Sequence, residues 1–408
     1  MTKSSSAGTI RPFRPEDAPA VAWLFMATMR DSDAAPPDDL IACLRRHYIE
    51  GPFADPDCPA LVLVDADDTV EGFGGRVVQP FTRGERVLRM AIVGTLMVRD
   101  HRRSPMAGAR LLKALTSGPQ DLTFSETAGD ATLAMWRQLR GTVLERHSLS
   151  FIRVLKPTRF ALGLAATRVG AARLLNPLAA LPDRLLAAKP GPLRWTGLPA
   201  DFRPERGLHA EAVSAADFAG LFHRWTHKQE VAPLWPDGCL PEIIGTALDK
   251  PAFGTPFLRA ALTDAGAPVG AYLFHLAGDG AAEVTDLVHT PGAAGPVLDC
   301  LFADAAALGA SSVKGRTTPV LFDALLSRRT LFVHDSASVI TGRDPELLSL
   351  FAGGKVHLNG FIGERWTRFV GDPFAPGKST RSVKPNPGLA TSEPAASNRM
   401  TAIGDGGV

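Results

Sequence analysis

Apolar residues recur at helical or alternating spacing over most of the first 155 positions, and turn residues separate the runs. Thr9 to Phe13 reads as a short strand. After Arg14-Pro15-Glu16-Asp17, Val21, Leu24, Phe25 and Thr28 fall at i, i+3, i+4 and i+7 and predict an amphipathic helix. A second helix is expected over Asp38 to Tyr48. Ala60 to Val64 and Val70 to Val78 form strands around the polar turn Asp65 to Asp68, which makes a hairpin. Arg86 to Val98 is a longer strand with Gly94 inside it, where glycine signals a bulge or the close approach of another group. The loop Arg99 to Pro105 opens a helix with Gly108, Leu111, Leu112 and Leu115 on one face. A strand (Leu122 to Glu126), a helix striped by Thr132, Met135, Trp136 and Leu139, and a strand at Ser148 to Leu155 close this half.

Pro157 to Lys189 reads as Ala/Leu/Arg-rich helix broken by Pro177 and Pro182. Its basic face suits weak contact with an anionic membrane surface, although packing between two domains is the commoner use of such a helix. From Leu208 the same order of elements returns. Strands are expected at Leu208 to Val213, Phe257 to Thr263, Val269 to Leu276 and Ala282 to His289, with helices over Ser214 to His227, Leu240 to Leu248 and Pro296 to Leu308. Ser312 to Lys314, Val320 to Arg328, Leu331 to Val333 and Val356 to Phe361 complete the series. The order and spacing point to two diverged copies of one plan. The expected class is α/β of the α+β kind, with two domains over residues 1–156 and 207–370, each a mixed, mostly antiparallel sheet flanked by helices. A basic helical linker, residues 157–206, joins them. Residues 371–408 are dominated by Gly, Pro, Ser, Thr and Ala, and are expected to remain disordered.

Composition narrows the class further. A chain of 408 residues with 45% hydrophobic against 21% charged residues can bury sizeable cores, which excludes a disordered, fibrous or disulfide-scaffold protein. Cys43, Cys58, Cys239 and Cys300 are scattered without a CxxC pair, so reduced thiols and no metal site are expected. With no apolar leader and no run of about 18 apolar residues, a cytoplasmic location is expected. The net charge is only +2, yet residues 101–200 hold 15 Lys/Arg against 5 Asp/Glu, a local balance of +10. Either a solvated basic face or a polyanionic ligand accounts for that excess.

The loop after Val98 carries the clearest chemistry. A strand that turns through Arg102-Arg103-Ser104-Pro105 into a helix starting with small Ala107, Gly108 and Ala109 presents free N–H groups and a positive dipole end to an anion. The arginines add bidentate donors suited to a diphosphate. Ile10-Arg11-Pro12-Phe13-Arg14-Pro15-Glu16-Asp17, and Leu96-Met97-Val98 followed by Asp100-His101-Arg102-Arg103-Ser104-Pro105-Met106-Ala107, resemble the first strand and the Q/R-x-x-G-x-G/A motif of the GNAT superfamily of acyl-CoA-dependent acyltransferases. Pro105 replaces the middle glycine and removes one N–H, though proline is at home in a helix's first turn.

The resemblance implies two GNAT-like domains and acetyl-CoA or another acyl-CoA as co-substrate, with no metal. It places the pantetheine arm beside Leu96, Met97 and Val98, and the pyrophosphate over Arg103, Ser104, Met106, Ala107 and Gly108, with Arg102 at the motif's first position. Ala134-Met135-Trp136-Arg137-Gln138-Leu139 resembles the family's A-L-Y-x-x-L helix end. The tyrosine that commonly protonates the leaving thiolate is Trp136 here, and an indole cannot serve as that acid. A base is needed if the acceptor arrives as an ammonium. Glu126 is the candidate in the first half, unless it simply caps the following helix. Asp286 is the candidate in the second, unless it is an exposed strand-end carboxylate. Thr290 to Gly295 looks like a decayed cofactor loop, and His223 and His227 lack a third metal ligand.

The acceptor implied is a small-molecule or sugar amine, with no DNA partner. Tandem arrangements of this fold also occur in mycothiol synthases and FemAB-like aminoacyl transferases. A catalytically silent binding or assembly protein and an aminoacyl-tRNA-dependent transferase are therefore the alternatives to acyl-CoA chemistry.

Overall fold

Local sequence signals and hydrophobic period set the elements. The first half of the chain forms β1 (Thr9–Pro12), α1 (Ala18–Met29), α2 (Asp38–Arg45), β2 (Leu61–Val64), β3 (Val70–Arg83), β4 (Arg86–Val98), α3 (Ala107–Thr116), β5 (Leu122–Ala128), α4 (Asp130–Gln138), β6 (Thr142–Val143), β7 (Leu149–Val154) and α5 (Pro157–Ala166). Then come β8 (His209–Ala212), α6 (Ala215–Thr226), β9 (Ala232–Pro233), α7 (Cys239–Leu248), β10 (Thr255–Leu262), β11 (Pro268–Leu276), β12 (Ala281–His289), α8 (Ala294–Ala307), β13 (Ser312–Arg316), α9 (Pro319–Leu326), β14 (Leu331–His334), β15 (Ala337–Gly342) and α10 (Pro345–Ala352). This computed structural model describes residues 8–100, 104, 106–166, 197–199, 201–372 and 374. Most of the basic linker, together with Arg102, Arg103, Pro105 and nearly all of the tail, lies outside the described residues.

Several helix starts have a plain chemical cause. The Ser214 and Thr318 hydroxyls accept the amides of Asp217 and Leu321, and the Asp344 carboxylate accepts those of Glu346 and Leu347. Pro319 and Pro345 occupy first-turn positions where no N–H is needed. The helix expected over Asp38 to Tyr48 divides instead. It is α-helical to Arg45 and then widens into a π turn over Arg46–Glu50 that buries Tyr48.

Two sheets result, both mostly antiparallel. The first runs β1-β2-β3-β4-β5-β15-β6, with β9 added on β3, and the second runs β14-β7-β13-β12-β11-β10-β8. The halves therefore exchange strands. β7, expected to close the first half, pairs with β13 and β14 in the second sheet, and β15 from the second half lies between β5 and β6 in the first. Both sheets sit in one compact unit. One core joins α1 and α2 to α6, α7 and the first sheet's inner face, where Ile92 and Phe124 lie. A second core backs the first sheet with α3 and α4 around Val93, Val98 and Trp136, and a third fills the space under α8 and α9.

Among the described residues each sheet has one parallel pair, and both pairs part. β4 and β5 pair only at Met90/Leu122, Ala91/Thr123 and Ile92/Phe124. β12 and β13 pair from Ala281/Ser312 to Val284/Gly315, while β12 continues to His289. Val356 to Phe361, expected as the last element of the series, forms neither a strand nor an α-helix. Its 3-10 turn at Gly360–Ile362 belongs to a strap that leads from the second gap to the first. The strap continues into the start of the segment expected to be disordered, because Asp372 and Phe374 are buried and Phe374 packs on Phe25 and Phe369.

Two buried histidines give the fold an acid sensitivity. His147 and His275 are fully buried, and neither ring nitrogen of either one makes a well-formed hydrogen bond. Burial pushes them down to about 3 and about 4. The unfolded chain binds these protons more tightly, so the stability they contribute is present above about pH 6.5 and is lost as pH falls toward the folded values. The Glu364 carboxyl, pushed up to about 7 by burial, acts in the opposite sense. The clean measurement is a difference. Between pH 7 and 4.5 the wild-type midpoint of thermal unfolding should fall more steeply than that of a His147→Phe, His275→Phe variant. Parallel slopes would contradict this assignment.

Candidate functional site

The first gap is made by a defect in β4. In the β3–β4 ladder Phe73 faces Met97 but Gly75 faces Gly94, so β4 carries one extra residue there. Thr95 takes a φ of +51°, unusual for a β-branched residue and the sort of local strain that gathers at functional sites. The bulge turns this end of β4 away from β5, and among the described residues no strand pairs with that edge beyond Ile92. The Tyr48 hydroxyl donates to Thr95 Oγ1 at 3.0 Å. It reaches the bulge because Gly75 has no side chain in its way. Burial raises the Tyr48 phenol above its ordinary range.

On the face that carries α1 and α2, the gap is lined by His47, Tyr48, Val77, Ile92, Gly94, Glu364 and Phe369. Glu364 comes from the strap. Its backbone N–H donates to Glu126 Oε2 at 2.8 Å, and its own Oε2 accepts from Thr127 Oγ1 at 2.7 Å. Its Oε1 presses against Gly94 where any side chain would collide. Sequence reasoning expected a bulge or a close approach at Gly94, and both are present. The carboxyl is pushed up to about 7, first by burial and then by the nearby Glu126. His47 is pushed down to about 4 by burial and so is neutral near pH 7.

Glu126 is fully buried at the rim of the same gap. One carboxylate oxygen holds the strap, and Oε1 has no hydrogen-bond partner. Leu96 is half-buried, and Met97 and Val98 are buried at the end of β4. Beyond them the Ser104 N–H donates to Asp100 O, and Ser104 O accepts the Ala107 amide. Ser104 and Met106 are exposed, whereas Ala107 and Gly108 are buried in the first turn of α3. A methyl group added at Gly108 would make only ordinary contact with Met135. Arg102 and Arg103 lie outside the described residues. Trp136 is fully buried in α4, with an unpartnered indole N–H.

The second gap keeps a small cavity of about 30 Å³ lined by Val284, Asp286, Arg316, His357 and Gly360, and the strap crosses it. Asp286 stands at its bulge, and both of its oxygens are engaged. Oδ2 accepts the Phe361 N–H at 2.9 Å, while Oδ1 meets the Leu287 N–H at 2.8 Å and His357 Nε2 at 2.9 Å. Gly360, at φ +58°, brings the strap against this carboxylate. Glu126 and Asp286 are thus joined by the strap, each fastening an amide three residues from the other. His223 and His227 stack on each other on α6 and its C-terminal end, and among the described residues no His/Cys/Asp/Glu group is arranged to hold a metal. No described helix is long and apolar enough to cross a membrane.

Sequence reasoning missed Glu364 and Tyr48. Tyr48 entered only as the last residue of the helix expected over Asp38 to Tyr48. Glu364, in Gly363-Glu364-Arg365-Trp366, carries no motif.

No family model matches the chain, and no curated protein matches its sequence. Solved structures do match. A GCN5-related N-acetyltransferase from Anabaena variabilis is similar at 11% identity and a TM-score of 0.52, over 82% of this chain and 72% of that one. A conserved protein of unknown function from Enterococcus faecalis, described as a probable N-acyltransferase, is similar at 10% identity and a TM-score of 0.50, over the same shares of the two chains. At these identities the likeness speaks to architecture: the two sheets, their parted parallel pairs and the flanking helices form a GCN5-related N-acetyltransferase (GNAT) fold.

Proposed function

We propose that this protein is an N-acyltransferase that moves an acetyl or other acyl group from coenzyme A directly to an amine, with the first gap as its reaction site and the two sheets as tandem GNAT-like halves. The observation that carries the reading is the edge of β4 that no described strand pairs with beyond Ile92, made by the bulge at Gly94 and Thr95 and followed along the chain by the start of α3. Unpaired backbone along such an edge accommodates an extended amide-bearing arm as it would a strand. The small residues at 107 and 108 leave the first helical N–H groups approachable by phosphate. Leu96, Met97 and Val98 would flank the arm, and Arg102 and Arg103 would hold the diphosphate together with Ser104 and Met106. When bound, acyl-CoA supplies an activated thioester carbonyl. The protein's contribution is to hold the amine against it and to accept a proton at a carboxylate of the gap. Glu126 and Glu364 stand there, while Asp286 serves the second gap, where it anchors the strap.

Isothermal titration with acetyl-CoA tests the reading. Micromolar binding is expected, weakened roughly tenfold or more in an Arg102→Ala, Arg103→Ala variant, the scale of losing charge-assisted hydrogen bonds. No heat with any acyl-CoA would end the proposal. The buried indole at position 136 favours one other reading, a binding protein without turnover. Coenzyme A binding with thiol release at background across a broad amine panel would support it.

A further inference from the structure

The strap has two parts that are held differently. Up to its 3-10 turn it belongs to the core: Val356, Leu358, Phe361 and Ile362 are buried, and Asp286 holds the Phe361 amide. Residues 363–371 then cross the α1/α2 face of the first gap as a series of turns, tied by the bonds Thr367 N–H to Glu364 O and Val370 N–H to Thr367 O. Of the side chains in this stretch only Thr367 and Phe369 are buried. Glycine is required at both ends. A side chain at Gly363 would run into the Glu126 carboxylate, and Gly371, at φ +85°, lies against the Phe253 ring. What the stretch covers is nearly closed. Glu364 presses its carboxyl on Gly94, and the Phe369 and Tyr48 rings stack at 5.6 Å between centroids. The cavity left between them and Val77 and Ile92 is about 10 Å³, space for one water at most. An amine with a carbon body does not fit there while residues 363–371 are seated.

The fastenings of this stretch are mostly polar. Glu126 Oε2 takes the Glu364 N–H, Thr127 Oγ1 donates to the Glu364 carboxylate, Arg365 pairs with Glu283, and buried Lys250 donates to the Arg365 carbonyl. Past Gly371 the chain is tethered again, since Arg30 donates to Asp372 O as well as to Phe369 O, and Phe374 packs on Phe25. Polar contacts can be exchanged for bonds to water, so a stretch fastened this way opens at lower free energy than the core at its two ends. We infer that residues 363–371 are an autoinhibitory lid, hinged at Gly363 and Gly371, that shuts the acceptor side of the first gap at rest and swings away to admit an acceptor, its seat kept by Glu283 and Lys250. The lid itself does not depend on the acyltransferase reading, whereas its effect on turnover rests on it. Opening clears the floor of the gap and returns Glu126 Oε2 to it. The apparent affinity for an acceptor is then its intrinsic affinity reduced by the fraction of molecules that are open.

The test places a thiol under the lid. In the full chain Val77→Cys puts one on β3 at the floor of the cavity, and its alkylation by iodoacetamide, followed by peptide mass, reads the open fraction. The rate should lie roughly 100-fold or more below that of a free thiol. It should rise roughly threefold or more when Glu283→Gln removes the pairing with Arg365, the scale of one net charge-assisted contact. Lys250→Met, which keeps the buried stem and loses the donor, should act in the same direction and stands in if the first variant fails to fold. Cys58 and Cys300, fully buried elsewhere, report general loosening and should keep their rates throughout. For any primary amine that releases thiol from acetyl-CoA, the KM for the amine should fall by the same factor. Alkylation of Val77→Cys at the free-thiol rate, no acceleration in either variant, or a matching rise at Cys58 and Cys300 would overturn the lid. Faster alkylation with an unchanged KM would overturn its gating of the acceptor. Faster alkylation with no thiol release from acetyl-CoA by any of these proteins would sink the acyltransferase reading and leave the lid standing.

Discussion

Cutting the chain after residue 156 is expected to leave two fragments that do not fold alone. Fragment 1–156 would lack β15, which pairs with β5 from Ala337/Ala128 to Gly342/Leu122 and also carries β6. It would retain β7, whose partners β13 and β14 are in the other fragment. Val339 and Ile340 are fully buried in the full chain, and their burial alone represents roughly 3–6 kcal/mol at the usual value for such side chains. That is a large share of the roughly 5–15 kcal/mol that ordinarily separates folded from unfolded chains. The exposed edges of β5 and β7 would also offer unpaired hydrogen-bonding groups to other chains. Expressed singly, each fragment should aggregate or melt without a cooperative transition, and coexpression should recover a soluble pair. A soluble, monomeric fragment 1–156 with a sigmoidal melt would refute this.

Arg316→Ala is expected to destabilise the fold more than an ordinary core truncation does. Arg316, on β13, is buried, and its two terminal nitrogens donate to the carbonyls of Ser148, Ser336 and Glu126 and to Ser338 Oγ. One guanidinium therefore fastens the second sheet to β5 and β15 of the first. Burial lowers its pKa from the ordinary arginine value, with nearby Glu126 acting the other way. Removing it strands several buried acceptors and unbalances Glu126, at a cost of about 3–5 kcal/mol, the scale for breaking a buried charged contact from one side. For a unit this large the thermal midpoint should drop by roughly 10 °C, at about 2–4 °C per kcal/mol. Lysine should not rescue it, because one ammonium cannot reach acceptors spread around a planar fork. A melt within about 1 °C of wild type would show that these carbonyls find other donors.

Sequence and structure agree best where the information is local. β4 runs over the residues expected, Arg86–Val98, because its alternation is long and bounded by turns. The glycine inside it marked the bulge that opens the gap. β15 escaped notice although Val339, Ile340 and Thr341 are β-branched, since a six-residue run gives no sign of the sheet it will join. Val356 to Phe361 went the other way. It was expected as one more element of the series, yet the Phe361 amide is taken by a carboxylate, and the segment became the strap. Glu126 and Asp286 were picked out singly by their place on strands. Nothing local says that one strap would join them, or that a third carboxyl, 238 residues beyond Glu126, would stand at the gap.

The period of each element, the capped helix starts, the defect in β4 and the small residues opening α3 are all written in the order of residues, because each acts within a few positions of itself. The exchange of β7 and β15 between the halves, the strap's hold on Asp286 at the second gap and the placing of Glu364 at the first arise only when the whole chain packs. Strand partnership and the company of a buried carboxyl are settled by surfaces hundreds of residues apart shedding water together, and no local periodicity encodes that pairing.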